Sequence, residues 1–519
     1  MAQNAAEAAD LAHALVLAPT SAADWVVVAP VAIPIVAGAL LMMLRHETRW
    51  HAGLAIGALL ATFLSNVLLL HRVLTDGPLV MTMGRWLPPF GISFAADVLG
   101  ASLALVATLV ALVGAVYAIA DIGTVGRRYG FYPFLMLMMA GVGGAFLTGD
   151  IFNLYVWFEV FLISSFGLLV LGSEHPQLDG TTKYAILNLI GTTLFLITVS
   201  LLYGAFGTLN MADIARKAGN FRETAPLTTL AALFLLAFGM KAAAFPVNFW
   251  LPASYHTPRI VTAALFGGVL TKVGVYALLR TLVMLFPLER DMLSCLIAWG
   301  AAATMIIGIM GALAQTDIRR VLGFVVISGV GVMLAGLALG TAEGLSGTIF
   351  YAFHSMIVMT ALYLLAGVMN GLAGDYSLRS LSGFYASHPL VAAFALLLML
   401  AAAGLPPASG LWPKVLLVRA AIDTGWPWLA FAILATGLLT TLALGRMFLL
   451  AIWRMPSGPA PVSAISPRLG YIALGVLALP VLLIGLYPEP VIAVAERAAA
   501  GILDSSTYIG SVFPEGAVQ

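Results

Sequence analysis

Apolar runs of about 20 residues, the length at which a helix crosses a bilayer, recur from residue 24 to residue 487. They fall near 24–44, 51–70, 95–119, 130–148, 151–171, 183–206, 226–250, 257–285, 292–314, 321–340, 343–370, 389–419, 426–453 and 469–487. Hydrophobic residues make up 61% of the chain and charged residues only 9%, against roughly 25% charged in an ordinary soluble domain. A soluble fold has no core large enough for that apolar surface, so the chain reads as an all-α, polytopic membrane protein with about 14 helices. The net charge of +1 leaves no basic surface for nucleic acid. The one cysteine, Cys295, lies in an apolar run and reads as a small hydrophobe. It excludes an internal disulfide and a cysteine-held iron–sulfur cluster built by this chain alone.

Residues 1–23 have an apolar patch but no positive leader, since the charges before it are Glu7 and Asp10. They read as an N-terminal extension or surface helix, not a cleaved signal. Between the spans the polar stretches are short loops, the longest near 207–224 and 454–468. One set of loops, with Arg45, Arg127, Arg128, Arg319, Arg320, Arg379 and Arg454 among its members, carries ten basic residues. The other, with Arg72, Arg216, Arg280, Arg290 and Arg497, carries eight. The excess assigns the first set to the cytoplasm and both termini to the outside.

Two spans are interrupted, at "AAAFPVNFWLP" (242–252) and "AAAGLPPASGLWPK" (401–414). Pro246 removes a backbone donor and is set against the carbonyl of Ala242; Pro406 and Pro407 are set against Ala402 and Ala403. The breaks lie roughly 160 residues, or five spans, apart. Paired broken helices point to inverted repeats around an ion site at mid-membrane. The resulting division is 24–120 for helices 1–3, 121–290 and 291–455 for two five-helix repeats, and 456–519 for the last helix and tail.

Most charged residues fall in loops or at span ends, but Glu159, Lys241, Lys272 and Lys414 lie within spans. A lysine at a helix centre costs roughly 2.5–3.5 kcal/mol to insert. Snorkelling to the interface suits Lys414, near the end of its span. It suits Lys241 less, which lies about nine residues, or ~13 Å, from the expected span end. A static buried ion pair is the other structural explanation. Yet three lysines share one obvious carboxylate, Glu159, which neutralises one of them. A buried lysine without a carboxylate can persist as a neutral amine, and a neutral amine accepts a proton. The pattern therefore reads as a proton relay. His354, inside a span, is a further candidate member, and His256, at a span mouth, a weaker one. Asp97, Asp121 and Asp150 read as interfacial or capping residues. Scattered glycines without a phosphate-binding loop, and the lack of any metal-ligand or nucleophile spacing, argue against an enzyme and against a cofactor or metal.

The stretches "LTGDIFNLYVWFEVFLISSFGLL", "FGMKAAAFPVNFWLPASYHTP", "LFGGVLTKVGVYALLR" and "AGLPPASGLWPK" resemble the proton-pumping membrane subunits shared by respiratory complex I and the multisubunit Mrp cation/proton antiporters. The resemblance runs from about residue 25 to residue 490, and its wording is most like the D-type Mrp subunit. It implies two inverted five-helix repeats, each with a broken helix, and a polar axis through Glu159, Lys241, Lys272 and Lys414, with Glu159 paired to Lys241. It implies other antiporter subunits as partners, and protons and monovalent cations as the transported ions. The alternatives are the equivalent subunit of a complex I or membrane-bound hydrogenase assembly, and a structural membrane scaffold. Two departures stand out. Met359 occupies a place where many relatives have lysine, which leaves His354 and water to bridge the gap. Arg259 stands where proline or a small residue is common, to screen the mouth or to meet a partner subunit.

Overall fold

The computed structural model describes residues 21, 23–221, 225–455 and 468–513. The expectation for the N-terminal extension, Glu7 and Asp10 included, lies outside these residues except at 21 and 23. Arg222 and most of the 454–468 loop also lie outside them.

Ten described helices are long and apolar enough to cross a membrane, and four shorter apolar helices accompany them. In chain order they are α1 (Ala29–Met43), α2 (Thr48–Asp76), α3 (Val98–Asp121), α4 (Phe131–Leu147), α5 (Ile151–Leu169), α6 (His175–Phe206), α7 (Leu227–Ala242), α8 (Ile260–Leu285), α9 (Pro287–Ala314), α10 (Ile318–Leu339), α11 (Ala342–Ala373) and α12 (Pro389–Ala403). A separate helix, α13 (Leu411–Asp423), follows the second break. Then come α14 (Pro427–Trp453) and α15 (Arg468–Leu486). Each expected apolar run overlaps these elements, but the run expected at 389–419 is divided between α12 and α13. Elsewhere the bounds shift most at α6, which starts at His175 rather than 183, and at α7, which stops at Ala242 rather than 250.

The early start of α6 has a local cause. Glu174 and Gln177 form a reciprocal capping box, and Asp179 pairs with Lys183 one turn on, at 2.6 Å. Polar residues thus extend the helix beyond its apolar stretch.

Three helices lie at the centre. The most apolar window is 100% buried in α8, 94% in α10 and 83% in α11, against 28% in α2. The outer helices turn large side chains outward, as Trp299 and Leu296 do on α9. Cys295, read as a small hydrophobe, is on that outward face too and is exposed.

The fold is not purely helical. Strands β1 (Leu79–Thr82) and β2 (Ser93–Ala96) form an antiparallel hairpin, with Leu79 opposite Ala96 and Thr82 opposite Ser93. The hairpin closes one end of the bundle. Ser93 O accepts the amide of Gly149, and Gly149 O accepts that of Met211. A C-terminal arm crosses the same end: α16 (Glu489–Leu503) packs on α11 and α3, and α17 (Ser506–Val512) reaches the hairpin.

Candidate functional site

Both expected breaks exist, but prolines do not make them. α7 ends because Ala243 turns left-handed, with φ +62°. Its amide donates to Met240 O at 3.2 Å, and the amide of Ala244 to Gly239 O at 2.8 Å. α12 ends the same way at Gly404, φ +84°, with Gly404 N on Ala401 O and Leu405 N on Leu400 O. This is one helix-stop motif built twice, with a 5→2 and a 6→1 hydrogen bond. Pro246, Pro406 and Pro407 come after the helices have ended. They keep the chain from resuming a helix but do not displace the carbonyls of Ala242, Ala402 or Ala403.

Carbonyls at the two stops take different further partners. Met240 O accepts the indole N–H of Trp250 at 3.1 Å. Ala403 O accepts the ammonium of Lys414 at 2.6 Å, reaching back from the first turn of α13. Lys414 is half-buried and lines a cavity of about 590 Å³ with Gly404, Gly437, Thr441 and Asp423. It is directed into the break rather than out toward an interface. A second cavity of about 540 Å³ borders the α7 break, but its lining is apolar, including Leu236, Phe245, Pro246 and Trp299, and it excludes Lys241.

Lys241 points the other way. It is buried in the last turn of α7 and donates to Asn188 O on α6 at 3.1 Å and to Thr192 Oγ1. Phe158 of α5 lies beneath it, with the ammonium 5.9 Å from the ring centre. Asn188 also donates to Tyr184 O, and the Tyr184 hydroxyl meets Ser165 of α5 at 2.9 Å. Glu159 does not close an ion pair with Lys241. Its Oε1 is buried without a hydrogen-bond partner, although its charge acts on Lys241.

Lys272 is buried on α8 and donates to Gly267 O at 2.7 Å. Residues Phe266–Leu270 form a π-helical turn, which widens the hydrogen-bond ladder and frees that carbonyl for the ammonium. Gly268 brings α8 against α11: a Cβ there would lie 2.1 Å from Thr360 Oγ1. Met359, next to Thr360, is buried and apolar, so no cation stands there.

His354, on α11, stands within electrostatic reach of both Lys414 and Lys272. Its Nδ1 lies 2.8 Å from Ser409 Oγ, in the loop of the second break. Ser409 is itself fixed by its amide on Val481 O at 3.1 Å. The structure thus brings Lys272, His354 and Lys414 into one neighbourhood, and Glu159 and Lys241 into another. Among the described residues, no direct hydrogen bond joins any two of the five; each cation is held by a carbonyl or hydroxyl of its own.

His256 stands apart from this row. Its Nδ1 is 2.9 Å from Pro252 O, and its Nε2 is 3.0 Å from Arg320 Nη2. Arginine only donates, so Nε2 accepts and the ring is neutral. Burial first, then the Arg320 cation, hold its pKa below the usual histidine range. Arg259, at the start of α8, is exposed and acts on Asp121, whose carboxylate accepts the Val261 amide at 3.3 Å.

The three acids read as interfacial or capping all stand at helix ends, one with an added role. Asp121 is the last residue of α3. Asp150 caps α5 through the Asn153 amide at 2.7 Å, and burial pushes its pKa up to about 6. Asp97 caps α3 through the Gly100 amide at 2.9 Å but also pairs with Arg280. Arg280 and Arg290, read from sequence as loop cations, are both buried. Arg290 reaches from the start of α9 to the carbonyls of Leu337 and Ala338, both at 3.5 Å, at the C-terminal end of α10. Arg280 lies within α8, where the spacing of Lys272, Tyr276 and Arg280 by four residues marks one helix stripe. That spacing was available in the sequence. Among the described residues no group of three or more His, Cys, Asp or Glu side chains could hold a metal ion.

The profile of the family described as "NADH:quinone oxidoreductase/Mrp antiporter, TM" matches residues 148–440, which contain all five residues of the row. The chain is 36% identical over 491 residues to the D-type subunit of the Na(+)/H(+) antiporter of Alkalihalophilus pseudofirmus, a match covering 94% of this chain and 99% of that protein. Its fold is similar to a chain of the Mrp complex from a Dietzia species, with a TM-score of 0.88, 29% identity, and coverage of 95% of this chain and 100% of that one. It is also similar to a chain of the membrane-bound sulfane sulfur reductase, an archaeal respiratory complex, with a TM-score of 0.86, 25% identity, and coverage of 94% and 99%. Match length and fold agree: this multi-pass membrane protein belongs to the family of NADH:quinone oxidoreductase and Mrp antiporter membrane subunits.

Proposed function

We infer that this chain is the D-type subunit of a multisubunit monovalent cation/proton antiporter, and that it passes protons along Glu159, Lys241, Lys272, His354 and Lys414. The observation that carries this reading is the solvation of the three lysines. Not one of them has a carboxylate partner among the described residues, and each rests on a neutral oxygen: Asn188 O and Thr192 Oγ1, Gly267 O, or Ala403 O. Neutral oxygens accept from an ammonium without compelling it to stay charged, as a paired carboxylate would. A static scaffold would gain more from closed ion pairs.

Helices over 121–290 and 291–455 act as two inverted five-helix repeats in this account. The helix-stop motif repeated at Ala243 and Gly404 supports that division. The chain sits in the bacterial inner membrane with both termini outside. In support, the loops assigned to the cytoplasm carry the excess of basic residues, and two cations counted on the other side, Arg280 and Arg290, are buried rather than free in loops. Sodium or potassium leaves in exchange for the protons, in concert with the other subunits. Partner identity separates this from the complex I alternative. Affinity purification of the native chain is expected to bring down small membrane subunits and a longer homologue; iron–sulfur and flavin subunits would overturn the antiporter reading.

A further inference from the structure

At the outer end of α8 lies a second polar cluster that the relay does not use. Arg280 is fully buried, and each of its nitrogens is engaged: Nη2 with Asp97, Nε with the Tyr276 hydroxyl at 3.0 Å, Nη1 with Met284 Sδ at 3.4 Å. The rings of Tyr276 and Tyr508 both lie 5.3 Å from the guanidinium carbon. The Tyr276 hydroxyl passes the contact on to Phe146 O at 2.9 Å. Gly100 lets α3 close on that same carbonyl, since a Cβ there would lie 2.2 Å from Phe146 O. α8 is again π-helical here, over Leu279–Leu285.

Tyr508 comes from the C-terminal arm. It is 1% exposed, yet its hydroxyl has no hydrogen-bond partner among the described residues. Its contact with the cation is through the ring. The arm is held nearby by Phe513, whose ring lies 4.6 Å from the Arg216 guanidinium.

Lys272, Tyr276 and Arg280 occupy one stripe of α8, and their chemistry changes along it. A lysine and a hydroxyl can take up and release a proton. A guanidinium keeps its proton throughout the physiological range. A fixed arginine is a known type of barrier to protons and cations in a pore. We propose that Arg280, clamped by Asp97, plugs the outer end of the α8 stripe, and that Tyr508 is the lid that keeps water off this plug. Lys272 then communicates with His354 and Lys414 and not directly with the outer face. The proposal rests on the relay reading.

The test is passive proton leak through the intact complex in liposomes, after an acid jump in choline medium free of sodium, potassium and lithium. A permeant anion carries the compensating charge. Two variants are compared with wild type after assembly is verified: Tyr508→Ala, and Arg280→Met combined with Asp97→Asn, which retains the cap on Gly100. The leak is expected to rise roughly tenfold in both and to return to the wild-type level when Lys272→Met is added. A wild-type leak in both assembled variants would overturn the plug. A raised leak that survives Lys272→Met would overturn its place on the stripe. Failure of the relay itself would appear separately, as unimpaired cation/proton exchange by a Lys241→Ala complex.

Discussion

Gly410 makes room for His354. A Cβ on Gly410 would lie 2.9 Å from His354 Cε1, 3.0 Å from Nε2, and 1.9 Å from Ala401 O. The loop of the second break can therefore bring Ser409 onto Nδ1 only because residue 410 has no side chain. Gly410→Ala is expected to push the loop off the ring, at about 1–3 kcal/mol for overpacking. Cation/proton exchange, measured on the assembled complex, should fall by about tenfold or more.

Among the described residues, Thr192 supplies the one side-chain oxygen on Lys241. Thr192→Val keeps the shape and removes that acceptor. A hydrogen bond to a charged group contributes roughly 1.5–3 kcal/mol, so exchange at a fixed pH is expected to fall about tenfold. Thr192→Ser, which keeps the hydroxyl, should restore most of it.

Lys272 distinguishes a proton carrier from a structural cation. Lys272→Arg retains the positive charge and the donor to Gly267 O, but arginine does not give up its proton. The account expects exchange to drop roughly 100-fold, the scale of a lost proton-transfer group. A scaffold role would leave it near wild type.

Asp150 carries a pH signature outside the spans. Burial raises its folded pKa from 3.8 to about 6. The folded state therefore holds a proton that the unfolded chain has already lost between those values. Its stabilising contribution is present below about pH 4 and lost as pH rises through 6, an effect of about 2–3 kcal/mol. Asp150→Asn keeps the cap on Asn153 without the titration. Thermal unfolding in detergent should show the variant gaining on wild type from pH 4 to pH 6, and holding a constant difference above it.

Much of the site was legible because lipid makes charge conspicuous. A lysine in an apolar run stands out at once, and so did Lys241, Lys272 and Lys414. The two breaks were legible as places, through their prolines, but not as mechanisms. Left-handed backbone at Ala243 leaves no mark in sequence, since alanine rarely adopts it. Asn188 and Thr192 were missed because an amide or hydroxyl carries no formal charge and can be satisfied by its own helix, as both are here. The π turn behind Lys272 lies within an unbroken apolar run whose composition does not distinguish it from an ordinary helix. Arg280 was misread for a different reason. It lies near the end of the apolar run 257–285, where arginine is usually interfacial, and the Asp97 and Tyr508 side chains that enclose it come from distant parts of the sequence.

The most direct test of the relay is cation-induced collapse of a pH gradient in everted membrane vesicles carrying the complete native complex. Wild type is compared with Lys241→Ala, with assembly checked by blot. The account predicts loss of the signal while the complex remains intact. Unchanged exchange would contradict it, and would return Lys241 to the role of a buried structural charge held by Asn188 and Thr192.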